Sequence, residues 1–226
     1  MGIAGLYTKT SLSAVTNGLE TNEGVDDAAQ LTATMGRYKN DVHWGGIVGA
    51  GQIRFIGDDA DQDMTYGLVG GGIGVERGSW AYGGSLMLIN ATAADNAETL
   101  DNAVLAKFQA EYALAAERSW MGVYALYADG DQDADGGADK TRGPGAGIYL
   151  RQQIGTWGAR NDVMLNAGLD IMKLKEAGGS GTDTTSATKA YVGVSIALGR
   201  ASTPRAMRMA SAPESGFLQL LTPYAD

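Results

Sequence analysis

The 226-residue chain has no cysteine, four prolines, three phenylalanines and a single histidine. Without cysteine it can form neither a disulfide nor a thiolate metal site, and the redox compartment stays open. No run of apolar residues approaches the roughly 20 that a membrane-spanning helix needs. That excludes helical spans but not β-strands, whose signal is only alternation over about ten residues. Basic residues are outnumbered, 17 Lys and Arg against 26 Asp and Glu, for a formal net charge of −9. Nucleic acid is therefore excluded as an expected partner, because binding it requires a basic face. The N-terminus, Met-Gly-Ile-Ala-Gly-Leu-Tyr-Thr-Lys, lacks the basic start and long apolar core of a signal peptide. A hydrophobic fraction of 44% is that of a folded chain and argues against disorder.

Glycine is plentiful, at 34 residues, and the four tryptophans keep a beat. Trp44, Trp80, Trp120 and Trp157 fall 36, 40 and 37 residues apart. Each sits in or just after a short polar turn: Lys39-Asn40-Asp41, Arg77-Gly78-Ser79, Glu117-Arg118-Ser119 and Gly155-Thr156-Trp157-Gly158. A Gly-rich apolar stretch and then an Asp-rich segment follow each turn, so the period reads as repeated β-hairpins. Tyr7, 37 residues before Trp44, stands at the position of a fifth repeat.

Within the repeats, period-two alternation assigns strands. Lys107, Gln109 and Glu111 fall on one face of residues 102–114, with Ala106, Phe108, Ala110, Tyr112 and Leu114 on the other. Helix is the rival there, since Ala and Glu are good helix formers. Ala146, Ile148 and Leu150 alternate with Tyr149, Arg151 and Gln153. Val163, Leu165, Ala167, Leu169 and Ile171 alternate with Asn166 and Asp170, and Ala190 to Leu198 repeats the pattern. The sum is an all-β fold: an antiparallel up-and-down β-barrel of about ten strands in five hairpins. Short turns lie at one end and long acidic loops at the other, over residues 16–29, 57–63, 92–101, 129–143 and 176–187. Residues 1–198 form the barrel and 199–226 a C-terminal tail. Strands of roughly 9–14 residues exceed the usual ~5–6 and match what a tilted strand needs to cross a bilayer.

Charge separates by end. The five expected loops hold 18 of the 26 acidic residues and two basic ones, Lys140 and Arg142. The turns and tail carry Lys39, Arg77, Arg118, Arg160, Arg200, Arg205 and Arg208. Charges at mid-strand, Arg54, Lys107, Glu111, Arg151 and Asp170, are expected in a barrel lumen, where they can pair with one another. The tryptophans are expected as an interfacial aromatic girdle.

Taken together, this pattern resembles the bacterial outer-membrane β-barrel superfamily, small single-chain barrels and autotransporter translocator domains included. The resemblance covers about residues 3–198, is one of architecture, and carries over no functional residue. Such proteins usually finish on a strand with a terminal aromatic residue, whereas here Ile196-Ala197-Leu198 is followed by the tail. The resemblance implies an outer-membrane location, lipid or lipopolysaccharide as partner, and a structural, recognition or narrow-pore role. The alternatives are a soluble β-rich shell or virion protein whose tail is an arm onto a neighbour, and an enzyme with its site in the long loops.

Candidate chemistry is sparse, and no enzyme is expected. Asp131-Gln132-Asp133-Ala134-Asp135-Gly136 matches the first half of a calcium loop, with Asp139 at the ninth position. Arg142 stands where the bidentate Glu belongs, so a full EF-hand is rejected and weak Ca2+ binding at Asp131, Asp133, Asp135 and Asp139 is the expectation. His43 lies two residues after Asp41, at the short-turn end and away from the loops where surface activity is expected. Gly70-Gly71-Gly72-Ile73-Gly74 sits inside a strand pattern and lacks the Lys-Ser/Thr ending of a phosphate loop.

Overall fold

A computed structural model describes residues 2–9, 14–16, 19–21, 24–56, 62–93, 98–114, 118–134, 137–158, 161–178 and 181–197. The tail expected over 199–226 lies outside them. The strands are β1 (Gly2–Lys9), β2 (Ala14–Thr16), β3 (Leu19–Thr21), β4 (Gly24–Lys39), β5 (Val42–Ile56) and β6 (Gln62–Arg77). They continue with β7 (Trp80–Ala93), β8 (Glu98–Ala113), β9 (Ser119–Ala134), β10 (Gly137–Trp157), β11 (Asn161–Gly178) and β12 (Gly181–Ala197). Residues 98–113 are thus strand, and the helical rival is gone: period-two burial wins over the helix propensity of Ala and Glu.

All ladders are antiparallel and each long strand pairs with its sequence neighbours, from β4 through β12. The eight-residue β1 pairs with both β12 and β4, so the strand order closes on itself as a barrel. β2 and β3 form a separate two-stranded sheet. The β4–β5 connection is a two-residue turn with positive φ at both Asn40 (53°) and Asp41 (63°). That is the geometry matched to strand twist in tight hairpins, and Asn and Asp tolerate it better than bulkier residues. Gly78, with φ 59°, does the same work between β6 and β7.

The long acidic loops require correction. Residues 129–134 belong to β9 and 137–143 to β10, while residues 24–29 already lie in β4 and 181–187 in β12. Asp, Gly and Thr lower intrinsic strand preference, but a neighbour paired on each side overrides that preference. Thr141 lies opposite both Gly130 and Glu176, and Asp131 faces Lys140, with a 3.4 Å ion pair between them. A strand of 16 residues such as β9 spans about 54 Å at ~3.4 Å per residue, or about 40 Å of height at a ~40° tilt. The acidic segments 129–134 and 137–143 thus extend the barrel wall as strand.

Inside, the buried apolar cluster lies towards the acidic end. It includes Met64, Met87, Leu105, Ala128, Met172 and Leu174. A smaller cluster of Ala113, Trp120 and Met164 closes the short-turn end. Between the two lies a charged layer.

Candidate functional site

Two surfaces carry the chemistry of this fold, its outer wall and its lumen. On the wall the apolar side chains face outwards. Leu31, Val48, Val69, Leu86, Phe108, Val123, Ile148, Leu169 and Val192 are all exposed, Phe108 by 71%. Their chain neighbours alternate inwards: Thr32, Lys107, Gln109, Tyr124, Tyr149 and Asp170 are buried. At the short-turn end of the wall, Trp80 stacks near-parallel with Tyr82 at 6.0 Å and packs tilted against Tyr112 at 4.9 Å.

In the lumen the charges are drawn together. Arg151 Nε lies 3.4 Å from Glu111 Oε2, with 2% and 1% of the two side chains exposed. The Arg151 guanidinium also sits 5.0 Å from the Tyr149 ring centroid. The Tyr124 hydroxyl donates to the Asp170 carboxylate, and Lys107 Nζ lies 5.4 Å from the centre of the same Tyr124 ring. Asn166 Nδ2 donates to Ser195 Oγ at 3.2 Å. Buried charges are tolerable when paired in this way, and stranding one is costly.

Glycines on the strands between make both long-range contacts possible. Glu111 on β8 is opposite Gly122 on β9, which is opposite Tyr149 on β10. With no side chain at 122, Tyr149 and Arg151 reach across β9 to Glu111. Tyr124 on β9 is likewise opposite Gly147 on β10, which is opposite Asp170 on β11. The space a Cβ of Gly147 would take is filled by the Tyr124 hydroxyl and an Asp170 oxygen. Tyr191 covers Gly168 in the same manner. Alternation along β10 places Tyr149 on the polar face of its strand but does not reveal the Tyr–Gly pairing. Register would have shown it.

Of the residues expected in the lumen, Lys107, Glu111, Arg151 and Asp170 are buried. The side chain of Arg54 lies outside the described residues. Trp44, Trp80 and Trp157 are exposed, but Trp120 is fully buried in the interior and must be removed from the expected girdle. The cause is parity: Trp120 shares its strand face with Gly122, Tyr124 and Leu126, all inward, while Met121 and Val123 point out. Asp135 and the side chains of Asp133 and Asp139 lie outside the described residues, and Asp131 is paired with Lys140. Among the described residues no group of three or more His, Asp or Glu is placed to hold a metal ion. His43 is buried.

An apolar exterior around a charge-paired interior inverts the plan of a soluble barrel and defines an architecture of the outer-membrane β-barrel kind. Among solved structures the chain is similar to the beta domain of the Bordetella autotransporter BrkA, at 12% identity over 87% of this chain and 98% of that one, with a TM-score of 0.48. No protein-family model matches the chain, and comparison with curated proteins finds no significant match.

Proposed function

We propose that the chain is a ten-stranded barrel of a bacterial outer membrane whose filled lumen makes it an anchor for its protruding acidic end and not a diffusion pore. The observation that carries this reading is the inversion along single strands, seen best on β8: Lys107, Gln109 and Glu111 buried, Phe108 and Tyr112 exposed. In water, exposing Phe108, Val123, Ile148 and Ile171 on one continuous wall would be unfavourable, because contiguous apolar patches that large mark an interaction surface. In a bilayer the same wall is the solvated one. The closed lumen is supported by the large side chains that fill it, among them Trp120, Arg151, Met64, Met87, Leu105 and Met172, with less than 2% of each exposed. Barrels of this size hold side chains in their interior, whereas those with about 16–18 strands leave a channel.

The test is to refold the chain from denaturant into detergent micelles and vesicles. A detergent-bound, β-rich species whose gel mobility changes on boiling is expected, with no steady conductance across a planar bilayer. A monodisperse protein without detergent would overturn the membrane reading. Stable single-channel conductance would overturn the closed lumen alone.

A further inference from the structure

On the outer wall, the apolar columns of β10 and β11 both end in cations. Ile171 and Leu169 are exposed on β11, and the next outward positions towards the acidic end are Lys173 and Lys175, both exposed. On β10, Ile148 and Leu150 are exposed, and the same face continues through Ala146 and Pro144 to Arg142 and Lys140. Arg142 and Lys175 are directly opposite in the ladder. Steps of about 7 Å along a strand and about 4.8 Å between strands place the four cations within about 15 Å, with Arg142 and Lys175 side by side at the centre. We propose that Lys140, Arg142, Lys173 and Lys175 bind the phosphate-bearing headgroup of an anionic lipid in the leaflet at the acidic end of the barrel. The inference rests on the membrane reading above.

Three further observations favour a lipid phosphate here. Like charges directly opposite in an antiparallel pair destabilise one another, so Arg142 and Lys175 side by side carry a cost that a phosphate between them relieves. Exposed Thr184 and Ser186 lie opposite Lys175 and Lys173 on β12 and offer hydroxyl donors along that border. On the other border Asp129 and Asp131 face Arg142 and Lys140, but the Asp131–Lys140 pair is more than half exposed on both sides and contributes little. The patch stays cationic on a chain of net charge −9. A free anion approaching from bulk meets the negative potential of the acidic end. A lipid diffusing in the plane of the bilayer arrives from the side, up the apolar column, and avoids it.

The experiment uses the full chain in vesicles of phosphatidylcholine, alone or mixed with bisphosphorylated lipid A or with its dephosphorylated form. Lipid retained per protein after gentle detergent extraction is read by native mass spectrometry. The wild type is expected to retain the phosphorylated lipid over the dephosphorylated one. Removing charges in Arg142→Gln/Lys173→Gln/Lys175→Gln should weaken retention about fivefold per charge. The control Lys39→Gln/Arg77→Gln, at the short-turn end, should retain it fully, and inorganic phosphate at matched concentration should not compete. Equal retention by the triple variant and the wild type overturns the proposal, and competition by inorganic phosphate reassigns the patch to free anions. A wild type that inserts but shows no preference for phosphorylated lipid sinks the headgroup site and leaves the membrane reading standing. A wild type that enters no vesicle removes both.

Discussion

The ring of Tyr149 on β10 lies over Gly122 of β9 and occupies the space a side chain there would fill. This contact sets the spacing of the charged layer. Glu111 is opposite Gly122 on the far side, so the bare backbone at 122 is the gap through which β8 and β10 exchange an ion pair. Glycine in a strand ordinarily weakens it, through backbone entropy and a missing side chain to pack. An aromatic ring laid over the glycine restores the packing from the neighbouring strand.

Substituting Gly122→Val should therefore displace Tyr149 and separate Arg151 from Glu111. Overpacking of this kind costs about 1–3 kcal/mol. The urea midpoint of the folded, heat-modifiable band should fall accordingly. Tyr149→Ala alone should destabilise, and Gly122→Ala should cost less in the Tyr149→Ala background than in the wild type, since the two residues share one space. Additive costs would mean that the ring does not pack on Gly122.

The ion pair gives a second prediction. Arg151→Met removes the guanidinium from a buried Glu111 carboxylate and should cost about 3–5 kcal/mol, because breaking a buried pair strands a charge. Glu111→Leu/Arg151→Met, which removes both charges, should recover most of that loss in the same unfolding measurement. Equal instability of the single and double variants would place the cost in packing and not in charge.

Much of this layer could be read in the sequence. Alternation around Lys107, Glu111, Arg151 and Asp170 sorted the two faces of β8, β10 and β11, and Asn40-Asp41 marked its turn correctly. Trp120 shows where a repeat count fails. A period near 37 residues says where along the barrel a residue sits, but a change of one residue in strand entry turns it to the other face. The parity of β9 itself, with Gly122 and Tyr124 opposed to Met121 and Val123, carried the answer. Composition alone weighs Asp and Gly against strand and so points to loops over the acidic segments. Cross-strand partners far apart in sequence, such as Asp101 opposite Asp131, are what composition cannot show.

Fluorescence separates the tryptophans. In four variants that each keep one tryptophan and carry Phe at the others, Trp44, Trp80 and Trp157 should be quenched by lipids brominated near the headgroup. Trp120, with 0% of its surface exposed, should not respond. Its emission should be blue-shifted and resistant to acrylamide while the barrel is folded, and it should join the others in denaturant. Headgroup quenching of Trp120 would restore it to the girdle and reverse the parity of β9.

Reversing the solvent at one outward position tests the wall itself. Phe108 lies between the Tyr112 end of β8 and Val104, at mid-height of the apolar column, and is 71% exposed. Phe108→Arg in a bilayer should cost about 2–4 kcal/mol, the penalty of a cation on the lipid face near the midplane. On a barrel dissolved in water the same change at an exposed site stays within about 0.5 kcal/mol. The difference corresponds to a fall of at least tenfold in the folded-to-unfolded ratio in vesicles. The companion change Lys175→Gln, on the same wall but above the apolar column, should leave folding nearly unaltered. A large cost at 108 with a small one at 175 therefore locates the edge of the hydrocarbon between them, whereas equal small costs would mean that the apolar wall faces water.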